Sequence, residues 1–419
     1  MKSHGNMDRV VVTGIGLITP LGCSVEDNWQ ALMQGRSGIA RITRFDPEAY
    51  DLTTHFAGEV KHFDATRFMD KKELRRYDQF VHYAIAASDL ALQDAGLKPE
   101  DLPKDRTGIL VGSGMGGIET FVENTILLHV EKNIRKISPF FVPAIIINMA
   151  SGLLTIRYGT RGPNYAIVSA CATGAHSIGE GFHSIQRGEC DVMIVGGTES
   201  PITPLGIAGF AATRALSRRN EAPEKASRPF DRDRDGFVMG EGAGVLILER
   251  EAFARARGAR IYCYLEGVGY SSDAYHPTAP CADGAGAALA MERAIQHAGI
   301  SPGEVQYINA HATSTELGDR AEVAAIRRVF GPAADQVAVS STKSMIGHLL
   351  GAAGSVEAAY TILAIYHQTL PPTINLEQVD PECDLNHVAN VPRQTRVDFA
   401  LSNAFGFGGT NTSLLFSRS

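Results

Sequence analysis

The chain has 419 residues, 44% of them hydrophobic, which is too long and too apolar for a disordered segment and enough to bury one large core or two joined ones. Its 39 Lys and Arg stand against 46 Asp and Glu, a net charge of −7, so no global basic field draws it to nucleic acid or anionic lipid, and an acidic partner must find a local basic patch. The six cysteines, Cys23, Cys171, Cys190, Cys263, Cys281 and Cys383, form no CxxC pair and no metal-ligand spacing, which argues against a disulfide framework or a zinc site and for reduced thiols in the cytoplasm.

Met1 to Asp8 has neither an apolar run nor an Arg-rich amphipathic stretch, so no signal or transit peptide is predicted. Val10-Val11-Val12 reads as a buried strand ending at Gly14-Ile15-Gly16. Lys71, Lys72, Arg75 and Arg76 make a basic cluster whose plain reading is a solvated helix face. Ile109-Leu110-Val111 is a second strand. Gly112, Gly114 and Gly117 after it match the dinucleotide fingerprint, but no strand ending in an acid follows about 20 residues on, so nucleotide binding is rejected. Ile137 to Ile156 carries no charge and is nearly long enough to span a bilayer; Pro139, Pro143, Asn148 and Ser151 make it a buried helix or a subunit contact instead.

Ala166-Ile167-Val168 is predicted as a strand and Ala175, Ile178, Phe182 and Ile185 as one face of a helix. Between them Ser169-Ala170-Cys171-Ala172-Thr173-Gly174-Ala175 puts Cys171 at a helix N-terminus, where unpaired N–H groups and the dipole favour thiolate; a buried structural cysteine is the alternative. Val192 to Val195 and Gly244 to Leu248 read as strands. Asp231, Asp233, Asp235 and Gly236 imitate a calcium loop, yet Gly242 stands where its twelfth-position glutamate belongs, so the run is read as a charged structural loop.

After Gly258 the plan restarts: a strand from Ile261 to Leu265, a helix from Gly284 to Ala298, strands Val305 to Ile308 and Val337 to Val339, with Gly267-Val268-Gly269 echoing the first glycine pair. Residues 1–258 and 259–419 are the two predicted halves of an α/β protein. His311 follows one of the later strands, ahead of a helix with Val323, Ile326 and Phe330 on one face, and His348 follows another; strand C-termini are where α/β sheets place ligands.

Eight ordered segments resemble the β-ketoacyl-acyl carrier protein synthases, most closely type II of bacterial fatty-acid synthesis, over nearly the whole chain. They are VVVTGIGLITPLG from Val10, GSGMGG from Gly112, RKISPFFVP from Arg135, the Cys171 segment, RPFDRDRDGFVMGEGAG from Arg228, NAHATST from Asn309, STKSMIGHLLGAAGSVEA from Ser341 and NAFGFGGTN from Asn403. Gly is common in the family where Ala312 stands. The resemblance implies a thiolase-like fold, two βαβαβαββ halves in a five-layered α/β/α/β/α body, and a homodimer. It implies decarboxylative condensation of malonyl-carrier with an acyl group held on Cys171, assisted by His311 and His348, with Lys343 and Glu357 supporting the second histidine and no metal or organic cofactor. Phe407 falls on the gating phenylalanine whose N–H joins that of Cys171 in an oxyanion hole, Thr313 and Thr315 on the pair that binds the phosphopantetheine arm, and Met115 on the acyl-pocket wall. Lys72, Arg75, Arg76 and Arg214 fall on the patch that docks acidic acyl carrier protein. A polyketide ketosynthase or a non-catalytic chain-length subunit are the alternatives; the latter would lack Cys171, and a thiolase would carry a second cysteine where this chain has His348.

Overall fold

A computed structural model describes residues 8–419, so the leader reading of the N-terminus lies, Asp8 apart, outside the described residues. Ten strands share one hydrogen-bonded sheet: β1 (Val10–Ile18), β2 (Thr107–Gly112), β3 (Val192–Glu199), β4 (Gly242–Arg250), β5 (Cys263–Ser272), β6 (Tyr307–Asn309), β7 (Ala338–Ser340), β8 (Asn386–His387), β9 (Phe399–Gly406) and β10 (Thr410–Arg418). Their order is β8-β7-β6-β9-β10-β5-β1-β4-β3-β2. The two chain halves meet where β1 pairs antiparallel with β5, and only Val10 to Val12 take part, opposite Leu265 to Cys263.

Five helices complete the layers: α1 (Gln79–Asp94), α2 (Thr173–Gln186), α3 (Ala285–Ala298), α4 (Glu316–Phe330) and α5 (Ala353–His367). Helix α1 packs on β1, β3 and β4, and α3 on β5 and β10 with α4 behind it, while α5 touches α2 and strands of both halves. From Ala353 to Ile365 every residue of α5 is buried, as a helix enclosed between sheets must be. The α/β/α/β/α order is thereby realised, with α2 and α5 as the middle layer.

The glycine echo has a physical basis. A Cβ at Gly14 or Gly16 would come within 2.3 or 1.8 Å of the carbonyl oxygens of Ala91 and Ala87 on α1, and one at Gly267 or Gly269 within 2.1 or 1.9 Å of those of Ala294 and Ala290 on α3. Both halves use a Gly-x-Gly strand so that an alanine-faced helix can lie directly on the backbone.

Most predicted elements form, but Ala166 to Val168 is not a strand. Next to β2 the ladder starts with the Ile109 amide donating to Pro163 O at 2.8 Å. It then stops because the Ser151 hydroxyl wedges in, accepting from the Val111 amide (2.8 Å) and donating to Tyr165 O (3.1 Å). The uncharged 137–156 stretch breaks into helices Phe141–Ile145 and Met149–Tyr158, and no described helix is long and apolar enough to cross a membrane. The acidic run is structural, as read: Asp231 pairs with Arg228 at 2.9 Å and accepts from the amides of Asp233, Glu377 and Gln378, while Asp235 accepts from the Ser217 hydroxyl at 2.6 Å.

Candidate active site

Cys171 sits in a single 3-10 turn, Ala170–Ala172, that runs straight into α2. Ala170 holds a φ of +50°, a conformation an L-residue adopts at a cost of about 1 kcal/mol or more, so the turn is a tight elbow held by its surroundings. The Ser169 amide donates to the Thr173 hydroxyl at 2.9 Å and the Ala172 amide to Ser169 O at 3.0 Å, fixing it. No side chain caps α2 at Ala172, and the first helical amide, that of Thr173, donates to Ala170 O within the elbow itself.

The placement matches the sequence reading; the protonation state does not. Burial pushes the Cys171 thiol up to about 12, while the charge of Lys343 and the Phe407 backbone N–H pull the other way and the carboxylate of Glu199 adds to the rise. The resting group is a thiol, because desolvation of a nine-tenths buried sulfur outweighs the helix terminus.

His311 is carried past the end of β6 by Glu322, whose carboxylate accepts from the backbone amides of His311 (2.9 Å) and Ala312 (2.7 Å) and from Asn403 Nδ2 (3.0 Å). His348 is held by its main chain, its amide donating to Val238 O at 2.7 Å and its carbonyl accepting from Gly240 at 2.8 Å. The two rings meet edge to face with centroids 5.3 Å apart. Burial, reinforced by the positive charge of Lys343, holds both imidazoles well below their usual range, so both are neutral at physiological pH. Each Nδ1 is buried with no hydrogen-bond partner among the described residues.

Lys343 and Glu357 form a fully enclosed ion pair, Nζ to Oε1 at 2.5 Å, behind the histidines. A cavity of about 440 Å³ brings Cys171, His311, His348, Thr313, Thr315 and Phe407 together. The Thr313 and Thr315 hydroxyls are 3.0 Å apart. The Gly406–Gly409 turn lies directly against Cys171: a Cβ on Gly406 would be 3.2 Å from the Cys171 amide nitrogen.

Met115 packs with Cys171 and Leu350 in one apolar cluster. Arg214, with φ +59°, lines the cavity, whereas exposed Lys72, Arg75 and Arg76 lie on and just after helix Lys71–Leu74, which contributes nothing to the lining. The rejected dinucleotide motif also finds its reason here. The amides of Gly114 (2.7 Å) and Met115 (3.0 Å) and the Ser113 hydroxyl (2.7 Å) already cradle an anion, the carboxylate of Glu199.

Sequence reasoning missed Glu199, Glu322 and Asn403. Glu322 had a signal: Asp319 and Glu322 share the face of α4 with Val323, Ile326 and Phe330, and all of them are buried. Asn403 lay inside a quoted segment with no role assigned, and Glu199 is an acid closing a wholly buried strand.

A buried thiol at an elbow, two neutral imidazoles and a glycine turn share one cavity between two sheet halves, as a condensing enzyme requires, and the chain belongs to the β-ketoacyl synthase family: the sequence models "Beta-ketoacyl synthase, N-terminal domain" and "Beta-ketoacyl synthase, C-terminal domain" match residues 7–254 and 262–377. It is 53% identical over 411 residues, 98% of each chain, to "3-oxoacyl-[acyl-carrier-protein] synthase 2" of Synechocystis sp., and 51% identical over 411 residues, again 98% of each chain, to the protein of that name from Vibrio harveyi. Among solved structures it superposes with a TM-score of 0.91 at 34% identity on a beta-ketoacyl synthase from Burkholderia phymatum, covering 99% of this chain and 100% of that one. The ketosynthase complex "AntDE:AntF", described as a type II PKS acyl-carrier protein with its ketosynthase bound to the hexaketide, gives a TM-score of 0.91 at 33% identity over 99% of this chain and 100% of its own.

Proposed function

We propose that this protein is the elongating 3-oxoacyl-[acyl-carrier-protein] synthase of type II fatty-acid synthesis, joining malonyl-carrier to an acyl group held on Cys171 with loss of carbon dioxide. The observation that carries the reading is the convergence of Cys171, His311 and His348 on one cavity that Thr313 and Thr315 also line; their hydroxyls would bind the pantetheine arm.

The Cys171 sulfur attacks the acyl-carrier thioester and its proton passes through a neutral imidazole to the departing carrier thiol. The N–H groups of Cys171 and Phe407 receive the oxyanion, a contribution of about 3 kcal/mol per donor in comparable sites. Malonyl-carrier then loses carbon dioxide; the enolate oxygen accepts from the N–H groups of His311 and His348, which can donate without a charge of their own. The enolate carbon attacks the acyl carbonyl, the Cys171 sulfur leaves, and one proton restores the thiol. Lys343, paired with Glu357, supports the neutral state of both rings. Decarboxylation replaces a strong base, so no metal or organic cofactor enters the scheme.

Met115 forms part of the acyl-chamber wall, and Lys72, Arg75, Arg76 and Arg214 dock the carrier protein. The AntDE:AntF complex, in which a ketosynthase is bound to an acyl-carrier protein, supports that partner. Residues 1–258 supply the nucleophile half and 259–419 the histidine half. A homodimer is supported by exposed apolar side chains on 121–168, among them Phe121, Val142, Ile156 and Val168, beside the open edge at β2. The protein works in the cytoplasm, in line with its scattered free cysteines. A polyketide ketosynthase is the second enzymatic reading, favoured by the AntDE:AntF likeness but at 33% identity against 53% for the fatty-acid relative. Product analysis with acyl-carriers of graded length and malonyl-carrier tests the proposal: saturated acyl primers should give 3-oxoacyl products two carbons longer. Release of carbon dioxide with no elongated product would overturn it.

A further inference from the structure

The buried carboxylate of Glu199 is used by no step above, although it sits where three segments of the chain meet. Its side chain is completely enclosed, and no Lys or Arg among the described residues pairs with it. It is satisfied by four donors: Oε1 accepts from the Ser113 hydroxyl (2.7 Å) and the Met115 amide (3.0 Å), and Oε2 accepts from the amides of Gly114 (2.7 Å) and Gly351 (2.9 Å). Three of the donors belong to the loop that carries Met115; the fourth, Gly351, belongs to the turn that follows His348.

The backbones around it are in contact. A Cβ on Gly351 would fall 2.4 Å from the Gly114 nitrogen and 2.5 Å from Glu199 Oε2; one on Gly114 would fall 2.7 Å from the same oxygen and 3.7 Å from Ala170 O at the nucleophile elbow. Three segments of distant sequence thus close around one acceptor, and two of the side chains they present, Met115 and Leu350, pack with Cys171. Burial raises the Glu199 carboxyl above its ordinary range while the four donors pull it back, and four N–H or O–H donors can share two oxygens only while those oxygens are acceptors, so an ionised carboxylate is the group that suits the junction.

We propose that Glu199 is a positioning residue for the condensation: it locks the Met115 loop, the turn after His348 and the Cys171 elbow into one unit, and thereby sets the acyl length the chamber accepts. The inference rests on the elongase reading for its substrate class but not for its geometry. Glu199→Gln keeps the size of the side chain and turns one acceptor oxygen into a donor facing two N–H groups, or a hydroxyl and an N–H. The wall should loosen. The negative charge near Cys171 also goes, leaving Lys343, Glu357 and the neutral His311 and His348 as the polar groups that bear on the sulfur.

Two readouts separate this from a merely structural role. Alkylation of Cys171 by iodoacetamide should be at least about threefold faster at pH 8 in Glu199→Gln, its pH midpoint moving down, because a unit charge has been removed from a low-dielectric surrounding. The kcat/KM ratio between the longest and the shortest acyl-carrier accepted should change about fivefold or more, whereas general destabilisation lowers all lengths together. Ser113→Ala removes a single donor, keeps the charge, and stands in if the Gln variant does not fold: it should change the length ratio and leave the alkylation midpoint in place. An unaltered length ratio in Ser113→Ala, or an unaltered midpoint in a folded Glu199→Gln, overturns the proposal. If the wild-type protein elongates no acyl-carrier, the elongase reading fails, and the alkylation arm still decides whether Glu199 governs Cys171.

Discussion

Lys343 and Glu357 are both about 1% exposed and sit 2.5 Å apart, an ion pair in a desolvated space where the Glu322 carboxylate also feels the charge of Lys343. Removing one partner of such a pair costs about 3–5 kcal/mol, because the survivor is left charged and buried. Lys343→Met and Glu357→Gln should each lose that much. The double variant leaves only a neutral amide with unmet hydrogen bonds and should lose about 1–3 kcal/mol, less than either single change. Trp29, the one tryptophan of the chain, stacks on His367 at the end of α5 with centroids 4.7 Å apart, and α5 carries Glu357, so urea titration followed by Trp29 fluorescence reads the relevant element. The pH dependence has a definite sign. Burial raises the Glu357 carboxyl to about 7 even with Lys343 opposing. In Lys343→Met that opposition is gone, so the folded state binds a proton at a pH where the unfolded chain does not, and stability falls as pH rises through that range. The deficit of Lys343→Met should therefore be greatest near pH 9 and shrink toward pH 6. Single-variant losses that sum to the double-variant loss within about 0.5 kcal/mol would refute an energetically coupled pair.

Replacing His311 or His348 by Ala should slow malonyl decarboxylation more than acyl transfer to Cys171, timed as separate half-reactions; wild-type decarboxylation in both variants would refute their roles. Both rings are held well below 6.5, so the wild-type decarboxylation rate should stay flat as pH falls to 6, and in Lys343→Met, where the repelling charge is absent, an acid limb should enter at higher pH. Depressed histidines contribute stability that is present above about pH 6.5 and is lost as pH falls, since the unfolded chain then takes up protons the folded state refuses. Arg75→Glu with Arg76→Glu should raise KM for acyl-carrier substrates and flatten its salt dependence while acylation by a small pantetheine thioester is unchanged; equal losses with both substrates would refute docking there.

Much of the site was legible in the sequence because its reacting groups sit in local signals: Cys171 between an apolar run and an amphipathic helix, His311 and His348 just past short strands. The glycine pairs at 14/16 and 267/269 were visible as a pattern, and their cause, helices lying on bare backbone, needed the fold. Glu199, Glu322 and Asn403 were silent because their partners are remote in the chain: Glu199 bonds residues 86 and 152 positions away, and Asn403 reaches Glu322 across 81. The strand expected at Ala166 to Val168 failed for a similar reason, since nothing local announces that the Ser151 hydroxyl takes the place of the ladder. The thiolate expectation weighed the helix terminus and could not see how deeply the sulfur is enclosed.

The central claim is that Cys171 carries the acyl group between the two half-reactions. Incubation with an acyl-carrier in the absence of malonyl-carrier, followed by intact-mass measurement and peptide mapping, tests it most directly. The account predicts one acyl adduct, on Cys171, absent in Cys171→Ser and discharged as a product two carbons longer when malonyl-carrier is added. An adduct on Cys190 or Cys263, or a Cys171→Ser variant that still elongates at the wild-type rate, would contradict it.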